Sequence, residues 1–219
     1  MYFQMFSLWQ ETAQEMNAKV LGITMPVDEV LALDPTFVLL FTPILARIYA
    51  SPTCVKTLGK PVSRMIRGLC LSVATFIVAG TVQGFIAHVA PAKLSLALIM
   101  PQFALNASSE LLFMATGIEF AYTVVRPELK AAVTAMWWIG VAAGTELIAV
   151  VVLATGGPTT DIQQMTWYFG SAGGMVVVVG LFYWLSRPFA KIHGGGGETI
   201  TPRPRKRVQE TSPLMESHV

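Results

Sequence analysis

Charge is segregated along this chain. Long apolar stretches hold almost none of it, and the short segments between them hold nearly all. Runs such as VVVLATG and GGMVVVVGLFYWL lack the polar face that every helix of a soluble bundle carries. Only 13% of the 219 residues are charged and 53% are hydrophobic, against about 25% charged in an ordinary soluble domain. The pattern is that of a chain whose solvent is lipid. It predicts an all-α polytopic membrane protein.

Crossing about 30 Å of hydrocarbon takes roughly 20 helical residues. Five stretches qualify, at about 33–50, 65–90, 95–125, 129–154 and 165–186, and residues 1–16 read as the end of a further apolar helix. Together 1–187 form one helical bundle. From 188 to 219 the chain is rich in Gly, Pro and charge and is expected to be a disordered tail. The opening MYFQMFSLWQET has neither the basic start nor the small-residue cleavage site of a signal peptide.

Basic residues set the orientation. If the connection after the first full span is cytosolic, Arg47, Lys56, Lys60, Arg64 and Arg67 lie inside, followed by Arg126 and Lys130 and then by the tail. Thirteen of fifteen Lys and Arg residues then face the cytosol, leaving Lys19 and Lys93 outside, as the positive-inside rule requires. Trp167 and Trp184 bracket the last span 17 residues apart, where an aromatic belt would stand. Pairs of glycines four apart, Gly80/Gly84, Gly140/Gly144 and Gly170/Gly174, allow helices to approach closely.

The third span carries the chemistry. Gln102, Asn106 and Glu110 recur every four residues, and Gly117 and Ala121 continue the stripe. A carboxylate this deep in a span costs several kcal/mol unless it meets water, a partner or a proton, so Glu110 is a candidate functional residue. Glu119, nearer the cytosolic end, suits structural pairing as well as coupling, and Glu146 suits helix packing as well as an ion pair. Gln83 and His88 read as interfacial residues. Asp34 before Pro35 opens a helix well and reads as its cap. Cys54 and Cys70 form no metal or disulfide pattern. With no serine elbow, His pair or HExxH motif, nothing points to an enzyme. A net charge of +2 gives no field for nucleic acid.

The run SSELLFMATGIEFAYTVVRPELKAAVTAMWWIGVAAGT resembles the tenth and eleventh helices of the proton-coupled oligopeptide transporters, a branch of the major facilitator superfamily. That family reads approximately GExxFSxxGLEFxYxxAPxxMKSxxxAxWLLTVAxGN. Glu110, Phe113, Gly117, Glu119, Phe120 and Tyr122 match in register, as do Lys130, Trp137, Val141, Ala142 and Gly144. QMFSLWQETAQEM and LDPTFVLLFTPIL are similar to the end of helix seven and to helix eight. Met114 stands in place of a serine, Thr145 in place of an asparagine, and the loop proline falls one position late at Pro127.

The resemblance implies the C-terminal helical bundle of such a transporter, with about five full spans and the end of a sixth. It implies symport of di- or tripeptides with protons, driven by the proton gradient and using no other cofactor. Glu110 would bind the peptide's α-ammonium group, and Trp137 would line the pocket or gate. Asp34 occupies the position of a helix-eight asparagine that contacts the peptide backbone, and Asn106 shares the polar stripe with Glu110. The family's first six helices and their ExxER motif have no counterpart in these residues, so the implied partners are a lipid bilayer, peptide, proton and an N-terminal six-helix half. Two other readings keep the fold: a non-transporting scaffold, and a carrier of nitrate or another small solute.

The orientation makes a direct test. In cells expressing the chain with a C-terminal epitope, antibody should reach the tail only after permeabilisation, and labelling of intact cells would reverse the topology.

Overall fold

The computed structural model of the chain describes residues 5–20, 23–24, 26–51, 60–89 and 94–193. A π-helical turn, Met5–Trp9, leads into helix α1, Gln10–Glu15. A two-residue antiparallel pair follows, β1 (Lys19–Val20) with β2 (Ile23–Thr24), in the register Lys19↔Thr24. The Val27–Ala32 turn then opens α2, Leu33–Ala50, and α3 spans Pro61–His88. The next span winds through a 3-10 turn, Leu96–Ile99, then α4 (Met100–Glu110), a π turn (Leu111–Ala115) and α5 (Thr116–Val124). The last two helices are α6, Lys130–Thr155, and α7, Asp161–His193. Five of these helical stretches are long and apolar enough to cross a membrane.

α3 is the hub. Its buried residues, Met65, Gly68, Leu69, Ser72, Thr75, Phe76, Ala79, Gly80, Val82, Gln83 and Ile86, follow the three-and-four spacing of one helical face. Pro61 starts it at a position where the missing N–H removes no helical bond. That face meets α7 along Gly80 and Gly84, where a Cβ would lie 3.2 Å from the Phe169 ring and 3.2 Å from Met165 Sδ. It meets α4 at Gly68, where a Cβ would lie only 2.8 Å from the Phe113 backbone nitrogen and 3.0 Å from the Ser109 carbonyl oxygen. Gly140, Gly144, Gly170 and Gly174 face open space, and no residue of α6 is buried. Of the three glycine pairs, only Gly80/Gly84 packs helices in this chain.

The core gathers towards the end where α1 docks. Trp9 is 1% exposed and meets Phe103 edge-on at 5.0 Å, with Tyr168, Leu96, Ile99 and Val30 buried around them. The loop after α1 is stitched to the start of the Leu96–Ile99 turn: Asn17 N–H donates to Leu94 O and Leu96 N–H to Asn17 O, at 2.9 and 3.0 Å. Gln83, which the sequence suggests is interfacial, is buried in the protein at this end. It is 2% exposed, accepts from Thr12 Oγ1 at 3.2 Å and donates to Asp161 Oδ1 at 3.0 Å. One buried amide thus joins α1, α3 and α7.

The final helix departs from the expected boundaries. α7 begins at Asp161, after a turn in which Gly156 and Gly157 take left-handed φ of 79° and 66° that favour glycine. It continues through Pro188 to His193, so the first six residues assigned to a disordered tail are helical. Of the pair expected in an aromatic belt, Trp184 is exposed, whereas Trp167 packs against the core. Cys54, Lys56, Lys93 and residues 194–219 lie outside the described residues.

Gly68→Ala should therefore lower stability by about 1–3 kcal/mol, the usual range for overpacking, because the contacted atoms are backbone and the helices must part. Gly140→Ala should be neutral or slightly stabilising. Thermal unfolding in detergent followed by circular dichroism reads both, and equal midpoints for the two variants would contradict the close α3–α4 contact.

Candidate functional site

α4 sets Gln102, Asn106 and Glu110 at one-turn intervals, and the π turn Leu111–Ala115 begins directly after Glu110. Isolated π turns inside α-helices are frequent at functional sites. This one lies against α3, where Gly68 admits the Phe113 backbone. Between α3, α4, the π turn and α6 lies a cavity of about 270 Å³. Asn106, Glu110, Phe113, Met114 and Trp137 are in its wall, with Ser72, Ser109 and Thr145 adding hydroxyl groups.

Most polar groups in that wall satisfy one another. Ser109 Oγ donates to the Gly68 carbonyl at 2.9 Å and lies 2.6 Å from Ser72 Oγ, so Ser72 is the donor between the two hydroxyls. Asn106 Nδ2 donates to Asp34 Oδ1 at 2.8 Å. Thr145 returns its proton to the Val141 carbonyl at 3.0 Å. Glu110 is the carboxyl group of the wall. Half-buried in the cavity wall, it has no hydrogen bond or ion pair among the described residues. Buried polar groups are nearly always paired, and an unpaired one calls for an explanation.

Trp137 closes one side. Its ring centroid lies 5.7 Å from that of Phe113, which meets Phe182 of α7 at 6.0 Å. The ring lies over Gly117, where an added Cβ would run into Cη2 and come within 2.8 Å of Cζ3. Its indole Nε1 is buried with no hydrogen-bond partner. α6 is held near this point by Tyr122 Oη and Thr134 Oγ1, 2.8 Å apart, and by the Lys130 ammonium over the Tyr122 ring.

Glu110, Asn106 and Trp137 therefore share one cavity. Asp34 lies behind its wall, 5% exposed. It does not cap α2, whose N-cap is Ala32 with no side-chain capping bond. It is spent on Asn106 instead. Glu119 is outside the cavity, with Arg64 Nη1 3.9 Å away and its side chain 70% exposed. The Arg64 guanidinium also stacks 4.3 Å over the Tyr49 ring, so α2, α3 and α5 are clasped there. An ion pair this exposed contributes little to stability. Glu146 is exposed on α6 and forms no part of the cavity wall. Ser72, Ser109 and Gly68 are site residues that the sequence reading passed over. The Gly68/Ser72 spacing of four on α3 was the available signal, of the same small-residue type as the glycine pairs.

The POT family pattern matches residues 1–168. "Peptide transporter 3" of Caenorhabditis elegans is 31% identical over 121 residues, which is 55% of this chain and 17% of the relative. Human "Solute carrier family 15 member 2" is 34% identical over 64 residues, 29% of this chain and 9% of the relative. The crystal structure of the POT family transporter PepTSo superposes with a TM-score of 0.70 at 21% identity. That match covers 86% of this chain and 38% of the transporter. An autoinhibited POT family peptide transporter superposes at 0.60 with 23% identity. The chain thus spans well under half of the proteins it matches.

The seat of Trp137 is testable without a ligand. In protein labelled with 5-fluorotryptophan, Gly117→Ala should shift the fluorine resonance that Trp137→Phe removes and leave that of Trp184 in place. An unmoved Trp137 resonance would contradict the contact.

Proposed function

This chain belongs to the POT family, and we propose on that premise that it supplies one wall of the peptide site of a proton-coupled symporter. The family and the five membrane-capable helices make it a multi-pass membrane protein. The observation that carries the proposal is Glu110: a carboxyl group without a partner among the described residues, facing a cavity in which the Ser72 and Ser109 hydroxyls and the Asn106 NH2 group are already paired. Such a group is suited to a cation that arrives with its own donors. A peptide's α-ammonium offers three, and its bond to a carboxylate is charge-assisted and strengthened by the low dielectric around it.

Trp137 and Phe113 form the aromatic side of the same cavity and are proposed to close over the bound peptide. Met114 in the wall tilts the pocket towards apolar side chains. The facing wall is proposed to come from a six-helix N-terminal half, which would also cover the exposed α6 face. Substrate at the midplane between two rocking halves is the arrangement expected of such transporters. Glu119 and Glu146 are assigned no contact with substrate.

A second reading has support from one feature, the openness of that wall: the chain binds peptide or another transporter without moving solute itself. Acid-driven uptake of labelled dipeptide into vesicles holding only this chain would refute that reading.

Binding tests the main proposal. Labelled alanylalanine should bind the purified chain in lipid nanodiscs, and Glu110→Gln should weaken it about 10- to 150-fold, the equivalent of one charge-assisted hydrogen bond. Equal affinity in the two proteins would remove Glu110 from the site.

A further inference from the structure

Asn106 and Glu110 stand one helical turn apart on α4 and both line the cavity, so their side chains are neighbours. What Asn106 offers the cavity depends on how its amide is turned, since one branch donates and the other accepts. The amide is held from behind. Asn106 Nδ2 lies 2.8 Å from Asp34 Oδ1, and the two residues are 4% and 5% exposed. The carboxyl oxygen accepts, so the NH2 branch is committed to α2. The carbonyl branch, about 120° away on the planar amide, is left for the cavity.

We propose that Asp34 is a positioning residue: by fixing Asn106 with Oδ1 towards the cavity, it makes Asn106 and Glu110 a two-acceptor cradle selective for a primary ammonium group. This rests on the reading of Glu110 given above and adds a specificity to it. A primary ammonium divides its donors between the two acceptors. An N-trimethylated amine keeps the charge but has no donor for either. Position 34 matters because an aspartate carboxylate can only accept and so holds the neighbouring amide one way round, whereas an asparagine there would accept from it or donate to it and leave its orientation free. Ser72 and Ser109 do not compete for the role, since their hydroxyls are closed on each other and on Gly68.

Competition binding in nanodiscs tests this with two probes, alanylalanine and its N,N,N-trimethyl analogue. The wild-type chain should prefer alanylalanine at least tenfold. Asp34→Leu should lose most of that preference through weaker binding of alanylalanine alone, with the trimethyl probe unchanged. Asp34→Asn, which keeps an acceptor, should retain part of it. Asn106→Leu should reproduce the loss, and adding Asp34→Leu to it should change nothing further. The chain has two asparagines, Asn17 and Asn106, so selective ¹⁵N labelling gives two side-chain amide pairs. The Asn106 pair should exchange slowly with solvent in the wild type and faster in Asp34→Leu. A preference that survives Asp34→Leu, or equal weakening of both probes, overturns this inference alone. Failure of the wild type to bind either probe overturns the peptide site and the cradle together.

Discussion

How closely α3 lets its neighbours approach decides the rest of this structure. Between helices in lipid there is little hydrophobic drive, so association rests on packing and on a few polar contacts. At Gly68 the π turn after Glu110 comes to within a missing methyl group of α3, and the Ser109 hydroxyl reaches the Gly68 carbonyl. That contact sets the depth and rotation of α4. Through α4 it also sets which residues face the cavity. Were the two helices a side chain further apart, Ser72 and Ser109 could not pair, and their hydroxyls would stand free in the cavity wall beside Glu110.

The two ends of the bundle are built differently. Where α1 docks, a dense core around Trp9 and Phe103 and the Thr12–Gln83–Asp161 chain tie α1, α3 and α7 together. At the other end the clasp is looser, with the Arg64 guanidinium shared between the Tyr49 ring and a mostly exposed Glu119. α6 is anchored near Tyr122 and Trp137, and its outer face, with Met136, Ile139 and Leu153, is exposed among the described residues. Solvation by lipid or by further helices is what such a face requires.

The spans and the polar stripe through Glu110 were legible in the sequence because they depend on local pattern, the spacing of charge and the helical period. Trp137 was placed at the cavity by family resemblance, and its seat on Gly117 appeared only in three dimensions. Asp34 was misread for a physical reason. Asp-Pro is a strong local signal for a helix start, whereas its actual partner, Asn106, lies 72 residues away. For Gln83, a glutamine near a span's end suggests the interface, and its burial and its bonds to Thr12 and Asp161 depend on residues 71 and 78 positions away. The end of α7 was not legible because Pro188 and the basic residues around it resemble a tail, although the helix continues through them.

The central claim, that the Glu110 cavity receives the amino end of a peptide, is tested most directly by photocrosslinking. A dipeptide with a diazirine beside its amino group, irradiated with the chain in lipid and mapped by mass spectrometry, should label residues 106–114 and Trp137, and excess unlabelled dipeptide should suppress that label. Label spread over the outer faces of α6 and α7, and indifferent to competitor, would contradict the account.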